Sequence, residues 1–267
     1  MEIWLPILFA SFCYLTPSLL LFKKPKPDKK LINFNAVLVG MGLLAHFTIL
    51  KTYISFHPID LSFANALITT SFFSILIFWV LNFNKNFNYL QPFLLIPSVF
   101  LLIIHPLFST NHFLATDLSV LFITHIAIAL FAYSLFTFSA YLAIFILIFE
   151  NKLHQKKKID MILIGSQPLM EMENFLFNIN KIGFLLLTIT LLSGILFSEQ
   201  VFGTPLQLNH KTVFSILAWL VYGLLLMGKR LYGWRGKKSI YISLTAFLLL
   251  ALSYLGSKFV LEIILHR

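Results

Sequence analysis

Residues 118–142 read LSVLFITHIAIALFAYSLFTFSAYL, 25 residues in which His125 is the one basic or acidic side chain. A helix needs about 20 apolar residues to cross the roughly 30 Å hydrocarbon layer of a membrane. This run is long enough and apolar all round, whereas a transmembrane barrel strand alternates apolar and polar residues over about ten positions. Inside lipid its peptide groups have no water to bond, so a helix is the structure that satisfies them within the segment. Seven more runs share these properties, at about 3–22, 31–50, 61–81, 90–108, 181–197, 210–227 and 239–264. The fold class predicted is all-α: a polytopic membrane protein with eight transmembrane helices.

The whole composition agrees with that reading. The chain of 267 residues is 59% hydrophobic and 11% charged, with a mean hydropathy of +0.89, and no ordinary soluble domain of this size hides so much apolar surface. Residues 1–267 therefore read as a single integral membrane domain. The first run has no basic residue before it and no small-residue cleavage site after Leu21, so it is expected to stay as a helix. Cys13 is the single cysteine, which excludes an internal disulfide, a Cys-x-x-Cys redox pair and covalent haem attachment.

A formal net charge of +10 raises nucleic acid as a partner, but the basic residues sit in short connections between spans. Topology accounts for them. Counting through eight spans, the odd-numbered connections hold sixteen of the 20 Lys and Arg residues; Lys51, Lys211, Lys258 and Arg267 fall on the other side. By the positive-inside rule the odd connections are cytoplasmic and both termini face outward, as in a bacterial inner membrane protein. The same loops are chemically suited to anionic lipid heads, though topology alone already explains their charge.

The fifth apolar run continues to about Glu150, too long for the bilayer, so its end is expected to project on the cytoplasmic side. Residues 159–180 follow, with Pro168 placed to start a helix and Glu171 and Glu173 in its first turns, where acidic groups suit the dipole. This segment reads as one cytoplasmic interfacial helix.

Seven of the eight histidines fall on the outer side, His154 being the exception. His57, His105, His112 and His266 are explained by interfacial positions or a hydrogen bond to a neighbouring helix. His46, His125 and His210 are different, because ionisable groups within or at the mouth of a span are expensive and usually functional. With Asp117 as N-cap of the fifth span, His125 is about 12 Å below its outer start at 1.5 Å per residue. Ala129, Ala132, Tyr133, Ser139 and Ala140 share its face, and such small residues admit either another helix or a flat ligand. Zinc is disfavoured, because no cysteine, acidic residue or His-Glu-x-x-His pair accompanies these histidines. A proton relay would want buried carboxylates, which spans two, five and seven lack. Two neutral imidazoles suit the axial positions of haem iron, and aromatic and aliphatic walls suit a porphyrin.

The order of motifs also resembles a known family. THIAIALFAYSLFTFSAYLAIFILI, residues 124–148, is similar to the helix of the cytochrome c assembly family (CcsA, CcmC and HemX-like proteins) that begins with an outer-facing haem-ligand histidine, and His125 occupies that position. QPLMEMENFLFNINKIGFLLLTITLLSG, residues 167–194, and NHKTVFSILAWLVYGLLLMGKRLYGWRGKKS, residues 209–239, resemble the HemX and YpjD-type branch. The resemblance covers about residues 117–262. It departs where haem-delivering members carry Trp-Gly-x-x-Trp-x-Trp-Asp: here residues 202–209 read FGTPLQLN, directly before His210.

What the resemblance implies is a noncatalytic haem-handling protein of cytochrome c-type biogenesis. His125 and His210 would ligate the metal, His46 would be a third cofactor-binding residue, and no residue would be catalytic. The expected partners are the lipid bilayer, haem and other cytochrome c maturation components, with no nucleic acid. An alternative is a membrane regulator or scaffold that affects haem synthesis through the loop at 151–180. A small-solute transporter would need two related halves and polar groups at mid-membrane, which the chain does not display.

Overall fold

A computed structural model describes residues 4–24, 27–53, 62–85, 87–108, 120–154, 169–202 and 209–256. The described residues form eight long helices and no strand. They are α1 (Trp4–Lys23), α2 (Lys29–Tyr53), α3 (Phe63–Lys85), α4 (Gln91–Ile104), α5 (Val120–His154), α6 (Leu169–Phe202), α7 (His210–Tyr232) and α8 (Lys237–Ala251). Short 3-10 turns flank α4 at Asn88–Leu90 and His105–Leu107, and α8 runs into a π-helical turn at Leu252–Gly256. Counted with those turns, all eight are long and apolar enough to span a membrane. The protein is a polytopic membrane protein.

α5 is the spine of the bundle, packing against α6, α3, α8 and α4. One apolar core joins α1 to α5 and the start of α6; a second joins α5 to α6, α7 and α8. Phe136 of α5 centres the second core, stacked on Tyr222 of α7 with ring centroids 4.0 Å apart. Gly183 of α6 makes this possible, since a Cβ there would stand 2.8 Å from the Phe136 ring. Small residues at helix contacts let backbones and rings approach in this way.

The start of α6 departs from the sequence expectation. Residues 169–180 are not a separate interfacial helix; they are the first turns of a continuous helix of 34 residues. Their apolar side is buried inside the bundle through Met172, Leu176, Phe177 and Ile179, and Phe175 packs on Phe87 and Phe138. No proline or glycine interrupts residues 169–182, so nothing breaks the helix before the membrane run begins. Asn180 is fully buried; it accepts from Ser139 Oγ of α5 at 2.6 Å and donates to Ser243 Oγ of α8 at 3.0 Å. An amphipathic pattern reads alike whether its apolar stripe meets lipid or protein. Residues 159–168, Pro168 among them, lie outside the described residues, as does Asp117.

The length of α5 agrees with expectation, since its 35 residues span about 52 Å at 1.5 Å per residue, well over a bilayer core. Gly183→Ala is expected to destabilise the protein by about 1–3 kcal/mol through overpacking against Phe136. Phe136→Leu in the same chain should recover part of that loss. A thermal unfolding series of the two single variants and the double variant in detergent measures the coupling, and additive losses would contradict the contact.

Candidate functional site

His125 lies five residues into α5 and is half-buried. Its Nδ1 is 2.7 Å from Ser193 Oγ on α6. Ser193 Oγ is also 2.7 Å from the Ile189 carbonyl and 3.2 Å from that of Thr190. A serine hydroxyl has one hydrogen, and within a helix it goes to the carbonyl a turn back. The imidazole Nδ1–H is then the donor to Ser193, and Nε2 keeps its lone pair. Histidines that bind metals are held in this way, the second ring nitrogen donating to an oxygen that fixes tautomer and orientation.

Aromatic rings wall the imidazole. Phe122 is stacked on it at 6.1 Å, and Phe197 meets it edge-on at 5.5 Å. Gly194 leaves a cradle beside the ring, where a Cβ would stand 3.6 Å from His125 Cε1. Two turns further along the same face, Tyr133 bonds Ser253 Oγ at 2.7 Å and the Leu250 carbonyl at 3.2 Å. Ser253 and Tyr254 belong to the π-helical turn, a local widening often found at functional sites. The Tyr254 ring lies 5.8 Å from that of Tyr133 and carries Lys211 Nζ at 4.9 Å over its face. Lys211 is close enough for its charge to act on His125.

His210 begins α7 immediately before Lys211 and is exposed. Asn209 is its N-cap, accepting from Thr212 N–H at 3.0 Å, as expected of asparagine there. The structure thus brings His125 and the first turn of α7 to one end of the bundle. It places His46 elsewhere, fully buried in a layer with Tyr14 Oη at 3.4 Å from its Nδ1 and Phe72 at 5.4 Å. His105 is close enough to interact electrostatically with His46, and its Nε2 lies 2.7 Å from Asn65 Oδ1 of α3. The bond to a neighbouring helix expected for His105 is therefore present. His57, His112 and His266 lie outside the described residues.

Phe122, Ser193, Gly194, Phe197, Lys211 and Ser253 are members of this site that sequence reasoning did not single out. Lys211 carried a signal, being one of four basic residues off the positive side of the topology. Among the described residues no three His, Cys, Asp or Glu side chains converge to hold a metal ion. An imidazole held through Nδ1 by Ser193 and walled by Phe122 and Phe197 is of the kind that would hold haem.

A family model described as cytochrome C assembly protein matches residues 34–265. The chain belongs to this family. Inner membrane protein YpjD of Escherichia coli (strain K12) is 34% identical over 145 residues, which cover 53% of this chain and 52% of that protein. Cytochrome c biogenesis protein CcsA of Chlamydomonas reinhardtii is 27% identical over 139 residues, 52% of this chain and 38% of its own. The CcsA of Marchantia polymorpha is 30% identical over 90 residues, 34% of this chain and 28% of its own. The chain spans about half the length, or less, of these curated relatives. In this cytochrome c assembly protein, Ser193→Ala should release the His125 ring. Nitrogen NMR of labelled histidine is expected to show one Nδ1–H tautomer in the parent and a mixture in the variant, and an unchanged tautomer would refute the assignment of donor and acceptor.

Proposed function

We propose that this protein is a noncatalytic haem-handling factor of cytochrome c biogenesis in the bacterial inner membrane, with both termini on the outer side. His125 and His210 are the residues that would hold the haem iron. The observation that carries this reading is the hydrogen bond of His125 to Ser193, which leaves Nε2 available. Haem, when bound, supplies an iron centre that accepts imidazole nitrogen in its axial positions.

Each neighbouring residue has a definable part. Ser193 holds the ring in one orientation, and Phe122 and Phe197 supply flat apolar walls. Lys211 places a positive charge where a carboxylate-bearing ligand benefits from it. His210, exposed at the start of α7, opens the same end of the bundle. His46 serves its buried hydrogen bond to Tyr14 and stands apart from this group. Membership of the cytochrome c assembly family supports the biological setting, and similarity to the cytochrome c biogenesis protein CcsA points the same way.

The experiment is an absorbance spectrum of detergent-purified protein expressed with ample haem. A Soret band is expected, displaced or lost in His125→Ala and His210→Ala and unchanged in His46→Ala. Ser193→Ala should retain the band with roughly 10–100-fold weaker haem affinity, the usual effect of removing a ligand's supporting hydrogen bond. No band in the parent, or one indifferent to His125, sinks the proposal. For the orientation, alkaline phosphatase fused after Arg267 is expected to be active, and an inactive fusion that is stably expressed would reverse it.

A further inference from the structure

The far end of α6, α7 and α8 carries a cluster that the haem reading does not use. Lys181 of α6, Lys229 and Arg230 of α7, Arg235 in the connection, and Lys237 and Lys238 of α8 bring six cations to it. None of the six forms an ion pair among the described residues; the pair of Lys24 with Asp28 at 3.1 Å lies in another connection. Lys229 feels the charges of Arg235, Lys181 and Glu173. The acidic groups placed beside the cluster are Glu150 of α5 and Glu173 of α6, two against six cations.

These side chains are held in place. Gly233, with φ of 63°, turns the chain at the end of α7, a left-handed conformation suited to glycine. Trp234 then folds back, its N–H bonding the Gly228 carbonyl at 3.2 Å, and its indole fills the space where any side chain at Gly228 would be. Lys238 Nζ lies 3.9 Å over the Trp234 ring and Lys229 Nζ 4.6 Å over that of Phe177. Lys229 also reaches Asn174 Oδ1 at 3.5 Å, and Arg235 Nη1 reaches Met170 Sδ at 3.8 Å.

Membrane topology requires basic residues in a connection, with no particular arrangement. It does not explain cations from three elements ordered on aromatic and thioether surfaces with fewer acidic groups than basic ones beside them. Like charges so close repel, and an anion between them relieves the repulsion. Exposed Leu231, Tyr232 and Tyr241 border the cluster, the composition of a membrane interface, so the bilayer itself is the source of that anion.

We propose that this end of the bundle binds the phosphate headgroup of an anionic phospholipid, with Lys229 and Arg235 as the central cations and Trp234 as the fixed platform. The test is native mass spectrometry of the full chain in detergent, titrated with phosphatidylglycerol or phosphatidylethanolamine. Phosphatidylglycerol is expected to bind preferentially. Each basic group near a membrane surface contributes about fivefold in affinity, so Lys229→Gln with Arg235→Gln should weaken binding roughly 25-fold. Lys29→Gln with Lys30→Gln removes the same charge from the α1–α2 connection and should leave binding unchanged. If the first pair does not fold, Lys238→Gln alone should give a loss of about fivefold. Equal binding of the two lipids, equal losses in the two double variants, or displacement of the lipid by equimolar inorganic phosphate would each overturn the proposal.

Discussion

A polar atom inside a membrane has no water to fall back on, and that constraint organises this bundle more than any single contact. The helices satisfy their own peptide groups, so the remaining problem is the side chains. Most serine and threonine hydroxyls are paired along their own helix, as Thr69 is with the Asn65 carbonyl at 2.7 Å. Some of the others meet across helices, while the buried hydroxyls of Ser11, Ser71 and Ser239 stay without a partner among the described residues. Asn180 ties α5, α6 and α8 at one level, and Trp219 Nε1 donates to Thr188 Oγ1 at 2.8 Å between α7 and α6. Trp79 Nε1 reaches the Ala36 carbonyl at 2.8 Å between α3 and α2. Each such bond contributes about 1 kcal/mol, so their main effect is to select one register of helix against helix.

The same constraint separates the two buried histidine environments. His46 is enclosed by Tyr14, Phe72 and His105, where its ring serves packing and a hydrogen bond. His125 has one nitrogen engaged and is only half-buried, with glycine rather than a side chain beside it. His46 Nε2 also has no partner among the described residues, but that ring is fully buried, which is why the proposed ligand role falls to His125. The π-helical turn at the end of α8 and Lys211 on α7 complete that end of the bundle. The basic cluster at the ends of α6, α7 and α8 lies beyond the opposite ends of these spans. One set of helices thus carries a neutral, aromatic site at one end and a charged one at the other.

Much of this was legible in order along the chain. Eight apolar runs became eight helices because length and hydropathy are local properties that lipid reads directly. His46, His125 and His210 stood out because an ionisable ring within or at the mouth of a span is costly. The segment 169–180 was misplaced because an amphipathic stripe does not say what covers it, and here α5 and the 3-10 turn before α4 do. Ser193 looked like any membrane serine, and Gly194 like any small residue at a helix contact, until α6 was set against α5.

The sequence by itself determined the membrane solvent, the number of the spans, the charge asymmetry between their ends, and which histidines carry a chemical cost. Tertiary structure alone decided which polar groups meet. It paired His125 with Ser193, enclosed His46, and set Lys238 over Trp234 and Lys229 over Phe177. The reason is physical: hydrophobicity acts along a segment and can be summed residue by residue, whereas a hydrogen bond acts over about 3 Å between atoms that the chain separates by tens of positions.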